Sequence, residues 1–193
     1  MADRVPCEAM NDVTIEPFDL AGRAAEALAV QAAAFGLTSE EVSVRLQIVG
    51  RHALAPGVRA FGAVARSRPG DFGQLVGFGY GMPNDRSHWW SSVIEPHLEA
   101  NGNGFWLDDS FSVTELHVHP EYQGLGLGRR LITTLCASTQ LPRTILSAID
   151  RETPARSLYR SLGYRDLARH VMFPNTAVPY AVMGAPLPFP PRY

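Results

Sequence analysis

The chain of 193 residues contains no lysine; all 17 of its basic residues are arginine. A phosphate-binding P-loop closes with Gly-Lys-Ser/Thr, so that class of nucleotide site is excluded. Cysteine is almost as scarce. Cys7 and Cys136 are the only two, and neither has a partner at disulfide or metal spacing, which predicts a reducing, cytoplasmic setting. The six histidines are scattered, and His117-x-His119 lacks a third ligand, so no metal site is expected. No apolar run reaches the length a membrane helix needs, and residues 1–11 lack the apolar core of a secretion signal; they read as a flexible lead. A net charge of −2 gives no pull towards nucleic acid or membrane. With no internal repeat and 46% hydrophobic residues, one domain over residues 1–193 is expected.

Glycine, by contrast, is concentrated where it matters. Residues 111–118 are rich in β-branched and aromatic types and read as a strand. After Pro120 come Gly124, Gly126 and Gly128 at alternate positions, and then Leu127, Leu131 and Leu135 at the spacing of one helix face. Glycines let a ligand approach the backbone with no Cβ in the way. The first N–H groups of a helix are unpaired and carry partial positive charge. Strand, glycine loop and helix therefore make an anion cradle suited to phosphate or pyrophosphate. A dinucleotide fold is a poor match. Its G-x-G-x-x-G opens the first strand–helix unit and is followed by an acid about 20 residues on; here the loop is G-x-G-x-G, past mid-chain, with no acid until Asp150.

The remaining elements follow from pattern. A first strand spans 13–18, and an alanine-rich helix 21–35 is closed by Gly36. Thr38 caps a second helix to about residue 49. Strands at 58–67 and 74–82 flank a turn at Arg68-Pro69-Gly70-Asp71. Gly77, Gly79 and Gly81 in the second of them mark close backbone approach or a bulge. Residues 84–104 read as an insertion with one amphipathic helix. Its Trp89 and Trp90 either pack onto the core or form a flap that sets substrate choice. Asp108 and Asp109 either begin the next strand or meet a cationic acceptor. A strand at 144–149 leads to a short helix with Thr153 as N-cap, Pro154 at its first position and Gly163 as left-handed cap. Strands at 164–173 and 178–184 come next, and the proline-rich stretch 186–193 is an extended tail.

Gln123-x-x-Gly126-x-Gly128, after a strand ending Leu116-x-Val118-x-Pro120, resembles the Q/R-x-x-G-x-G/A loop of the GCN5-related N-acetyltransferases (GNAT). Downstream, Ala155, Leu158, Tyr159, Gly163 and Tyr164 match the family's next motif, A-x-x-L-Y-x-x-x-G-F/Y. The resemblance is close over 111–164 and elsewhere covers only the succession of elements. It implies an α/β (α+β) fold: a mixed, mostly antiparallel central sheet of six to seven strands flanked by about four helices. The inserted helix lies between strands 3 and 4, and the sheet splays beside the fourth and fifth strands. The implied function is acetyl transfer from acetyl-CoA directly to an amine of an unidentified acceptor, favoured as a small molecule over a peptide or protein amine. Succinyl- or propionyl-CoA as donor, or a non-catalytic acyl-CoA sensor on the same fold, are the alternatives. A homodimer is compatible with the resemblance.

By the same resemblance, acetyl-CoA would be held by Leu116, His117, Val118, Gln123, Gly124, Leu125, Gly126, Leu127, Gly128 and Arg129, largely through the main chain. The Val118 N–H would receive the oxyanion, and the Tyr159 hydroxyl would protonate the leaving thiolate. Glu152 stands where many members carry an asparagine that helps hold CoA, so that contact is not expected here. Amine acylation also needs a neutral nucleophile. Strand alternation sets Glu115 and His117 on one face, with Leu116 and Val118 facing the core. Glu115 is therefore the expected general base and His117 its rival. His117, Trp89 and Trp90 are candidate acceptor contacts.

Overall fold

The computed structural model describes residues 13–68, 71–174 and 176–190. Seven strands and five α-helices follow one another: β1 (Val13–Pro17), α1 (Ala24–Phe35), α2 (Ser39–Ala53), β2 (Arg59–Ala65), β3 (Gln74–Pro83), α3 (Trp89–Ala100), β4 (Ser110–Val118), α4 (Leu127–Ala137), β5 (Arg143–Ile149), α5 (Pro154–Arg160), β6 (Arg165–Val171) and β7 (Tyr180–Pro186). The strands form one sheet in the order β1-β2-β3-β4-β5-β7-β6. β1–β2, β2–β3, β5–β7 and β6–β7 are antiparallel. β4 and β5 are parallel, paired from Ser110–Arg143 to Ser112–Ile145. This is the mixed, mostly antiparallel sheet that the resemblance implied, with α3 inserted between β3 and β4.

Several boundaries differ from the sequence reading, each for a local reason. α1 starts at Ala24 because Asp19 first builds a turn, accepting from the Gly22 N–H at 3.0 Å. α2 runs to Ala53, beyond the expected end near residue 49; Gly50 is accommodated within the helix, and Pro56 follows its end. Its start is as expected: Thr38 and Glu41 close a reciprocal capping box. Pro96 lies inside α3 without ending it. α5 ends at Arg160 with Ser161 as its cap, and Gly163 takes the left-handed conformation two residues later. β7 is displaced by two residues, since its pairing with β5 extends to Pro186 opposite Arg143. The tail begins there: the Leu187 N–H donates to Pro142 and Phe189 packs on Tyr164. Residues 1–11, Pro69 and Gly70 of the expected turn, and 191–193 of the tail lie outside the described residues.

Two compact units divide the chain, Met1–Gly81 with Thr114–Leu135 and Met82–Val113 with Cys136–Tyr193. In the first, Val13, Ala63, Val76, Leu127 and Leu131 form a core that Leu116, Val118, Tyr122 and Leu125 pack against. Gly77 and Gly79 let this core close. A Cβ on Gly77 would stand 3.1 Å from the His117 carbonyl and 3.3 Å from Leu131, and one on Gly79 would stand 3.0 Å from Leu116. The bulge lies in the β2–β3 register beside them, between Ala63 and Val64.

In the second unit Ile94 and Leu98 of α3 are fully buried with Trp106, Ile145, Leu167 and Val182, each aliphatic side chain contributing about 1.5–3 kcal/mol. Polar bonds fix the insertion as well. Arg86 holds Asp108 through two bonds of 2.7 and 2.8 Å and also donates to Glu95 and the Gly104 carbonyl. Asn84 donates to the Leu107 carbonyl at 2.8 Å and accepts from Ser91 at 3.0 Å. Asp108 is thus committed to Arg86. At the end of β5, the fully buried Arg156 binds Asp150 at 3.0 Å and both oxygens of Asp166 at 2.6 Å. Burial acts to raise the Asp150 pKa, but bonds from Arg169 and the His170 N–H, with the charges of Arg169 and Arg156, outweigh it and hold the carboxyl below its ordinary value.

A depressed carboxyl stabilises the fold above its unfolded pKa of about 3.9, and that contribution fades as pH falls through the folded value. Asp150→Asn should therefore cost about 3–5 kcal/mol at pH 7, and the gap to wild type should shrink below about pH 4. Urea unfolding of both proteins between pH 7 and 3 measures it.

Candidate active site

β4 leaves the sheet at Val118, and the chain turns through a 3-10 segment, Pro120–Tyr122, into the glycine loop. The turn is tied at three points. The His119 N–H donates to the Val76 carbonyl at 2.9 Å, the Tyr122 N–H to the His119 carbonyl at 2.9 Å, and the Gln123 side-chain amide to the Val118 carbonyl at 3.0 Å. The glutamine of the motif is therefore a brace for the strand end. Gly124 and Gly126 both have φ of +78°, and a Cβ built on either meets nothing within 4 Å. An alternation of left-handed residues with ordinary ones is the backbone pattern from which anion-binding nests are built. α4 begins at Leu127, and the Arg130 N–H donates to the Gly126 carbonyl at 3.1 Å. The amides before Arg130 thus belong to the anion-binding end of the helix. Arg130 itself is tied to the Val13 carbonyl at 3.0 Å.

Strand alternation along β4 holds as read. Leu116 and Val118 pack against the core with Leu127 and Leu131, while Glu115 and His117 share the opposite face, 2.5 Å apart from Oε2 to Nε2. That face is not bare. Gln31 of α1 donates to Glu115 Oε2 at 3.1 Å, and Arg45 of α2 stands 3.8 Å from Oε1. His52 and Tyr80 are bonded to each other at 3.0 Å in the same unit. Burial pushes the Tyr80 phenol well above its ordinary pKa, and the Glu115 charge adds to the effect. None of Gln31, Arg45, His52 and Tyr80 was singled out from sequence. Gln31 alone left a trace: it completes the i, i+3, i+4, i+7 series Ala24, Ala27, Leu28, Gln31, so the one polar side chain in the series sits on the buried face of α1.

Tyr159 and the two tryptophans belong to the other unit. Tyr159 lies buried on α5, its ring 5.6 Å from that of Tyr164. The Tyr164 hydroxyl is bonded to Thr144 at 3.1 Å, and Cys136 beside it is a buried thiol whose pKa burial pushes up to about 11. Glu152 is ion-paired with Arg160 at 2.6 Å. Trp90 packs on the core of its unit and its indole N–H donates to Ser147 at 3.4 Å, whereas Trp89 stays 55% exposed beside Phe173. Packing describes Trp90. Among the described residues no helix is long and apolar enough to cross a membrane.

A family model described as Acetyltransferase (GNAT) domain matches residues 62–166, more than half of the chain. The chain belongs to the GNAT acetyltransferase family. The GCN5-like protein acetyltransferase Rv2170 of Mycobacterium tuberculosis is 30% identical over 122 residues, 59% of each chain. The mycothiol acetyltransferase of Acidothermus cellulolyticus is 36% identical over 106 residues, 52% of this chain and 30% of its own. The match thus spans less than two thirds of either relative's length. Among solved structures, the ribosomal-protein-S18-alanine N-acetyltransferase of Escherichia coli superposes with a TM-score of 0.61 over 91% of this chain and 94% of that one, at 18% identity, a likeness of fold.

The geometry of the loop makes a specific prediction. Gly126→Ala should lose about 1–2 kcal/mol to left-handed strain and also place a methyl in the cradle, raising the acetyl-CoA Kd more than about 10-fold, or 1.4 kcal/mol. Gly102→Ala has the same strain at φ of +67° and should leave that Kd unchanged. Calorimetry and thermal unfolding of both variants separate the two effects.

Proposed function

We propose that this chain transfers an acetyl group from acetyl-CoA directly to an amine, acting as one acetyltransferase domain over residues 1–193. The observation that carries the reading is the left-handed backbone of Gly124 and Gly126, with open space at both Cβ positions, just before α4. Main-chain groups from Gln123 to Arg129 would hold the pyrophosphate there, and the backbone of Leu116, His117 and Val118 would hold the acyl arm. Neither Gly124 nor Gly126 carries a Cβ that would keep a pyrophosphate from the backbone.

The chemistry then needs three services. Glu115 takes the proton of the acceptor ammonium, so that a neutral nitrogen attacks the thioester. The Val118 N–H receives the oxyanion. The Tyr159 hydroxyl protonates the departing thiolate. No covalent enzyme intermediate is required, because holding both reactants together removes much of the barrier.

A small-molecule amine is the proposed acceptor, with the 55% exposed Trp89 a candidate contact. The likeness to a protein acetyltransferase favours a second reading, a peptide or protein amine. Release of CoA thiol from acetyl-CoA, measured with polyamine, aminoglycoside, amino-acid and N-terminal peptide amines, decides between them. With the best of these acceptors, Tyr159→Phe should lower kcat by about 10- to 1,000-fold. An unchanged kcat at saturation would remove Tyr159 from the acid role.

A further inference from the structure

Glu115 is held more tightly than a lone general base requires. Its Oε2 lies 3.1 Å from Gln31 Nε2 and 2.5 Å from His117 Nε2. Both partners are themselves immobilised. Gln31 is 3% exposed on the inner face of α1. His117 is 7% exposed, its ring 5.2 Å from that of Phe35, edge to face, and 5.3 Å from that of Phe78. Oε1 points instead towards Arg45, whose guanidinium at 3.8 Å is too distant for a hydrogen bond. The groups facing the pair are thus Arg45 from α2, Tyr80 from β3, itself bonded to His52, and the neutral Gln31 from α1.

We propose that Gln31 and His117 are positioning residues that orient the Glu115 carboxylate through Oε2 and leave Oε1 to receive the acceptor's proton. The proposal rests on the reading of Glu115 as general base. It gives His117 a different place from that of a rival base: donation from Nε2–H to Oε2 fixes the ring tautomer and turns the imidazole into part of the carboxylate's support. The step balances. One N–H bond of the acceptor ammonium breaks and its proton joins Oε1, while the nitrogen lone pair forms the C–N bond. As the C–S bond breaks, its electron pair leaves with sulfur. The nitrogen then loses a second proton, matching the one sulfur takes up, so the proton on Glu115 is the net proton released.

Amine-dependent thiol release reads the positioning. Gln31→Met and His117→Phe should lower kcat about 10-fold or more and leave the KM for acetyl-CoA within about twofold, with thermal unfolding checking that both variants fold. His117→Gln keeps an N–H donor towards Oε2; it should recover part of the kcat that His117→Phe loses, and it covers the case in which His117→Phe unfolds. Release by Glu115→Gln tests the base reading separately. Unchanged kcat in the folded Gln31 and His117 variants, or no recovery in His117→Gln, overturns the positioning proposal alone; full release by Glu115→Gln overturns the base reading and the proposal with it.

Discussion

The brace between the Gln123 side chain and the Val118 carbonyl is the contact on which the candidate cofactor loop depends. A strand that leaves a sheet exposes its last carbonyl, and a glycine-rich segment has little of its own to hold it in one conformation. The amide of Gln123 satisfies that carbonyl and returns the chain over its own exit. Gly124 and Gly126 can then adopt left-handed conformations in a defined place. The backbone donors of the loop and of the first turn of α4 are held in place by this arrangement, with no lysine required. Arginine does not substitute by proximity alone: Arg130, which follows the loop, is tied to the Val13 carbonyl.

What was legible in the sequence was what is local. The loop, the α4 stripe of Leu127, Leu131 and Leu135, the Thr38 capping box and the Thr153–Pro154 helix start each depend on residues within a few positions of one another. They were read correctly for that reason. Alternation along β4 is local in the same sense, Leu116 and Val118 packing on the core and Glu115 and His117 bonded to each other on the other face. The misplaced boundaries are those set by partners. β7 runs on because β5 lies beside it, and α1 starts late because Asp19 claims the preceding backbone.

The surroundings of Glu115 were the least legible part of the site. Gln31 and Glu115 are 84 positions apart in the chain, and nothing in either neighbourhood announces the other. A polar residue on a helix face made of alanine and leucine was the sole hint. Once the contacts are visible, the face bearing Glu115 and His117 becomes a connected polar network in which each buried group has a stated partner, as low-dielectric surroundings demand. Glu115 and His117, set on one face by strand parity, are bonded to each other at 2.5 Å. Trp89 and Trp90 separate, Trp90 bonded to Ser147 within its core and Trp89 exposed.

The central claim is that the loop from Gln123 to Arg129 binds acetyl-CoA. Calorimetric titration of the full chain with acetyl-CoA, beside CoA and succinyl-CoA, tests it most directly. The account predicts saturable one-to-one binding of acetyl-CoA with a Kd on the order of 1–100 μM, about −8 to −5 kcal/mol, retained by CoA because the pyrophosphate dominates. Absence of heat and of competition with any of the three ligands would contradict it, and the glycine loop would then be a structural turn with no ligand.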